Sequence, residues 1–135
     1  MVKIITGSKG TGKTERLIDR INESIQNTKG DVVCIEQAPK LTYQLSYRVR
    51  LVDTARFFIT DYDAFYGFVA GLLASNYDIS DIFVDGILRI AGREYEKLGE
   101  ILSKLEKLTD GTTTIVFTVS ADDTDLPENV LKYKS

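Results

Sequence analysis

Gly7-Ser8-Lys9-Gly10-Thr11-Gly12-Lys13-Thr14, directly preceded by Val2-Lys3-Ile4-Ile5-Thr6, is the stretch on which the reading of this chain turns. The leading five residues are mostly apolar and β-branched, which predicts a buried strand. The eight that follow satisfy G-x-x-x-x-G-K-[ST], a pattern that arises by chance in about one chain of this length in two hundred. Gly7, Gly10 and Gly12 can take positive φ and bring backbone N–H groups close to a polyanion. A helix starting at Lys13 adds the positive end of its dipole to the same place. The residue types therefore predict a phosphate cradle formed by Gly7 to Thr14. Lys13 supplies a point charge for β- and γ-phosphates, and the Thr14 hydroxyl is a ligand for Mg²⁺.

Outward from the loop, Leu17, Ile18, Ile21 and Ile25 recur at helical spacing, which predicts a first helix over 13–27. Asp31 to Glu36 reads as a short buried strand ended by Gln37-Ala38-Pro39. Apolar residues alternate from Leu41 through Tyr43, Leu45, Tyr47 and Val49 to Leu51, and a third core strand is expected near 48–52, with Asp53 and Thr54 at its end. Asp61 or Asp63 can cap a strongly amphipathic helix carrying Phe65, Phe68, Val69, Leu72 and Leu73. Ile82-Phe83-Val84-Asp85 is the next strand, and Leu98, Ile101, Leu102, Leu105 and Leu108 mark a helix that stops near Gly111. A strand over 113–119 follows. Pro127 can open a short helix to Leu131, with the final residues loose. Strands alternating with helices imply right-handed βαβ units, hence an α/β three-layer sandwich with a mainly parallel five-stranded sheet in a single domain over 1–135.

In such sheets ligands bind beyond the carboxyl ends of the strands, and polar residues gather there: the glycine loop, Glu36, Asp53, Asp85, Thr118 and Ser120. Asp85 ends a hydrophobic strand and is expected to face Mg²⁺ opposite Thr14. Thr118 or Ser120 is expected near the terminal phosphate or the attacking water. Arg89 and Arg93 follow Asp85 closely and offer charge for a transition state, with surface ion pairs as the plainer alternative. Arg48, Arg50 and Arg56, interleaved with Tyr43, Tyr47, Phe57 and Phe58, read as a solvated face rather than a nucleic-acid surface.

The 135-residue chain is 43% hydrophobic and 27% charged with a net charge of −3, which suits one core and argues against nucleic acid or acidic lipid as partner. It contains no histidine, which excludes histidine catalysis and histidine metal ligands. Cys34, the only cysteine, sits in Val32-Val33-Cys34-Ile35 and reads as a buried thiol in a reducing compartment. With a strand beginning at Val2 and no apolar run near the ~18 residues of a membrane span, a cytoplasmic location away from membranes is expected.

These motifs resemble those of the P-loop NTPase superfamily, nearer its RecA-type and AAA-type branch than its GTPase branch, since no N-K-x-D is present. The resemblance makes Gly7 to Thr14 a Walker A loop and Asp85 a Walker B acid. It implies ATP and Mg²⁺ as ligands. Relatives of that branch commonly carry a glutamate directly after the Walker B aspartate, where this chain has Gly86. The base that polarises water would then be Glu36, Asp53 or Glu94, with Glu36 first because it ends a core strand. The segments GSKGTGKT, DVVCIE, RVRLVDT, YDAFYGFVAGLLASNYDI and DIFVDG also resemble a group of short P-loop proteins from Firmicutes that sometimes carry a twitching-motility ATPase label. The expected function is Mg²⁺-dependent ATP binding with slow or partner-stimulated hydrolysis, in which Lys13, Glu36 and Asp85 carry the chemistry. The alternatives are a small nucleoside-type kinase and a non-hydrolysing, nucleotide-gated regulatory module. Besides the nucleotide, a protein partner or a homo-oligomer stays open.

Overall fold

The carboxyl ends of five strands carry every group expected to meet a ligand, so their order decides which groups can meet. A computed structural model describes residues 1–38, 41, 44–109 and 111–135. The strands are β1 (Val2–Gly7), β2 (Asp31–Glu36), β3 (Val49–Asp53), β4 (Ile79–Asp85) and β5 (Thr114–Ser120). They form one sheet in the order β1-β5-β4-β2-β3, and every pairing is parallel. The helices are α1 (Lys13–Asn27), α2 (Tyr62–Ser75), α3 (Ile87–Ala91), α4 (Tyr95–Leu108) and α5 (Glu128–Leu131). The expected α/β sandwich is therefore present, and its sheet is wholly parallel.

Each strand alternates its side chains between two apolar layers, as a parallel sheet covered on both faces requires. Ile5, Cys34, Phe83 and Val116 pack against Leu17, Ile21 and Ile25 of α1. Ile4, Ile35, Val84 and Phe117 pack on the other face against Phe65 and Val69 of α2 and Leu98, Leu102 and Leu105 of α4. Burial, followed by the Glu36 and Asp85 carboxylates, pushes the Cys34 thiol up, so it stays a neutral core group.

The structure departs from the sequence reading in three places, while the third strand lies where it was expected, at Val49–Asp53 against a reading near 48–52, because the β2 ladder begins at Val32↔Val49. The described residues before it turn instead, with Gln44 N donating to Leu41 O and Val49 N to Ser46 O; Tyr43 and Pro39 lie outside the described residues. Helix α2 starts from an Asp61 cap that accepts from Ala64 N, but its apolar surface is broader than a single stripe: Ala64, Tyr66, Phe68, Leu72 and Leu73 are all partly buried beside Phe65. Helix α3 was not expected. The third departure is the carboxyl-terminal segment, which is tied down.

That segment runs along the open side of β1. Ile4 N donates to Tyr133 O and Ser135 N donates to Ile4 O, so the edge of the sheet is covered. Asp123 holds the strap from the side, accepting from Thr6 Oγ1 at 2.5 Å and pairing with Lys134 Nζ. Hydrogen bonds from Lys134 and then Thr6 pull the Asp123 carboxyl below its ordinary 3.8. A depressed carboxylate stabilises the fold above its unfolded value and loses that contribution as pH falls through the folded one. Protection of the Ile4 and Ser135 amides in hydrogen exchange is therefore expected to drop below pH 3.8 before the core amides lose theirs. An Asp123→Asn variant with unaltered protection there would contradict this. Among the described residues, no helix is long and apolar enough to cross a membrane.

Candidate functional site

The backbone leaves β1 through Gly7 and turns into α1 at Gly12. Gly7 sits at φ 145°, and a Cβ built there would lie 2.5 Å from Thr11 Oγ1, so the turn needs glycine. Gly12 caps α1 without any side-chain hydrogen bond, which leaves the first amides of the helix to a ligand. In this arrangement the Ser8 carbonyl accepts from both Thr11 Oγ1, at 2.7 Å, and Lys13 Nζ, at 2.8 Å. Lys13 is thus folded down onto its own loop. It is only 6% exposed, and burial lowers its pKa, aided by the Arg16 guanidinium and opposed by the Asp85 carboxylate. The ammonium has one carbonyl for company and stands to gain from an anion.

Asp85 reaches the start of α1 from β4. Its Oδ1 accepts from Thr14 Oγ1 at 3.3 Å and from Thr118 Oγ1 at 2.8 Å. The Thr118 hydroxyl in turn accepts from Gly86 N at 2.7 Å. Because β5 lies between β1 and β4, Thr118 spans the gap between the loop strand and the Asp85 strand. Its hydroxyl donates to Asp85 and so orients that carboxylate. Strand order alone produces that contact, and nothing in the local sequence signals it.

These groups line a cleft of about 370 Å³ whose walls include Lys9, Gly12, Lys13, Thr14, Asp85 and Ser120. Thr14 and Asp85 present hard oxygen atoms side by side. Among the described residues no group of three acidic, cysteine or histidine side chains gathers anywhere, so a divalent ion here would complete its shell with phosphate oxygens and water, the usual habit of Mg²⁺. A hollow of about 410 Å³ lies at the opposite ends of the strands beside Lys3, Arg20, Glu23 and Asp81 and shares no residue with the loop.

The three candidate bases fare differently. Glu36 is the register partner of Asp85 on the neighbouring strand, at the same level of the sheet. It is 2% exposed, its Oε1 accepts from Leu41 N at 3.2 Å, and it is not in the lining of the cleft. Asp53 accepts from Ala38 N and Ala55 N and so holds a turn together. Glu94 pairs with Lys97 at 3.6 Å on the surface. The basic residues after β2 do not converge: Arg48 donates to Ile25 O at the end of α1, Arg50 is exposed on β3, and Arg56 lies over the Phe57 ring.

No family model matches the chain, and no curated protein does. Solved structures do. The crystal structure of the flagellar accessory protein FlaH from Methanocaldococcus jannaschii superposes with a TM-score of 0.60 at 21% identity, over 97% of this chain. The likeness is one of fold, the parallel α/β sandwich. This chain spans 65% of the length of that FlaH chain. The likeness to FlaH does not support the Firmicutes group suggested by the sequence segments.

Proposed function

We propose that this RecA-like domain binds ATP with Mg²⁺ in the Gly7–Thr14 loop and hydrolyses it slowly, with Glu36 as the base. The observation that carries the reading is the meeting of Thr14 and Asp85 at 3.3 Å beside a buried lysine whose partner is a loop carbonyl. Incoming phosphate oxygens replace the Ser8 carbonyl as acceptor for Lys13 Nζ, and the open amides of α1 take the rest of the negative charge. Thr14 and Asp85 would hold Mg²⁺, which would supply positive charge to the phosphate groups. Thr118 fixes the carboxylate that faces it, so that Asp85 need not reorganise when the ligand arrives.

Glu36 is one strand away from Asp85 but is engaged by the Leu41 amide. Freeing its carboxylate requires movement of the turn around Ala38, a non-glycine residue at φ 66°. Binding is thereby favoured over turnover, and a protein partner or second copy that shifts this turn would accelerate hydrolysis. The test is calorimetry with MgATP followed by phosphate release on the same sample, using wild type and Glu36→Gln. The variant is expected to keep its ATP affinity within about threefold and to lose ~10²-fold or more in phosphate release. Equal release would remove Glu36 from the reaction, and absence of binding heat in the wild type would overturn the function. Background release in both proteins, with binding intact, would instead identify a nucleotide-gated module.

A further inference from the structure

A second cleft opens off the first, and its walls carry positive charge without any acid. It has a volume of about 350 Å³ and is lined by Lys9, Gly86, Leu88, Arg89, Arg93 and Ser120. Lys9, Arg89 and Ser120 belong to both clefts, so the two are continuous. Among the described residues, none of Lys9, Arg89 and Arg93 forms an ion pair; the pairs present are Lys97–Glu94 and Lys134–Asp123. In a chain of net charge −3, three unpaired cations on one small concavity are a local reversal of sign.

Gly86 explains how the charge is brought in. It stands directly after Asp85 at φ 78°, and a Cβ built on it would lie 3.2 Å from Arg89 Nη2. The guanidinium therefore occupies the space into which a side chain from position 86 would project.

We propose that this cleft is a binding site for the phosphate group of a second, small phosphorylated ligand, held next to the nucleotide cleft by Lys9, Arg89 and Arg93. Two guanidinium forks and an ammonium match a compact dianion better than a single carboxylate, and a hollow of this size encloses a small molecule rather than a macromolecular surface. Lys9 and Arg89 are shared with the nucleotide cleft and Arg93 lines only the second, so the response at Arg93 is what tells the two sites apart.

The experiment is an amide NMR titration with inorganic phosphate, performed on wild type saturated with MgADP, on Lys13→Ala without nucleotide, and on an Arg89→Gln/Arg93→Gln double variant. The expected result is saturable movement of the Gly86, Arg93 and Ser120 amides in the first two samples and at least tenfold weaker binding in the third. These side chains are exposed, so the double variant is expected to keep the wild-type spectrum elsewhere. Movement confined to Gly7–Thr14 amides, undiminished binding in the double variant, or a response to a hexaglutamate peptide with none to phosphate would each overturn the proposal. If the Lys13→Ala sample responds at Gly86 while wild type shows no nucleotide binding, the second site survives and the nucleotide reading falls.

Discussion

Lys13→Ala is expected to weaken ATP binding by about a hundredfold or more while leaving the fold intact. A charge-assisted hydrogen bond contributes ~1.5–3 kcal/mol, and every 1.4 kcal/mol is a tenfold change in affinity, so an ammonium serving two phosphates reaches that range. The stability side is as informative. In the ligand-free chain this ammonium is 6% exposed and held by a single carbonyl, with Arg16 opposing its charge. Removing it relieves a desolvated cation, so the variant is expected to unfold at the wild-type urea midpoint or above it. Calorimetry and urea unfolding on the same preparation check both halves. Unchanged ATP affinity in a folded variant would contradict the role of Lys13.

The second large effect is on stability. Phe117→Ala is expected to destabilise the domain by ~3–5 kcal/mol, a large share of the 5–15 kcal/mol typical of a domain. Phe117 is fully buried on β5, its ring 5.9 Å from that of Phe65 on α2, and its strand neighbours are Ile4 and Val84. The cavity would open between the sheet and α2, in a layer where α4 also closes the face and leaves little freedom to collapse. The next residue, Thr118, points to the opposite face and orients Asp85, so loss of β5 rigidity should also loosen that carboxylate. The check is the urea midpoint at constant slope; a loss under ~1 kcal/mol would show that this layer repacks.

The parts of this architecture that the sequence discloses are those governed by short-range periodicity. Helix α1 and strand β2 have the expected bounds because their apolar spacing is regular and glycines punctuate them. Helix α3 is hidden for the converse reason: of the five residues between Gly86 and Gly92 only Arg89 is exposed, and a run that short shows no period. The 41–51 alternation narrows to the expected strand near 48–52 because a strand exists only where a neighbour offers a ladder, and that is a tertiary fact. The same limit applies at the site. The Gly7–Thr14 loop and Asp85 are legible as types of residue in a pattern. The contact of Thr118 with Asp85 and the level shared by Glu36 and Asp85 depend on strand order and register. Several strand orders satisfy right-handed crossovers equally well, so spacing along the chain does not select among them.

The most direct test of the central claim is a crystal structure of the wild-type chain grown with Mg²⁺ and a non-hydrolysable ATP analogue at saturating concentration. The account predicts phosphates seated on the Gly7–Thr14 amides, with Lys13 Nζ moved from Ser8 O onto their oxygens and a metal ion beside Thr14 and Asp85. A vacant loop with Lys13 still bound to the Ser8 carbonyl would contradict it.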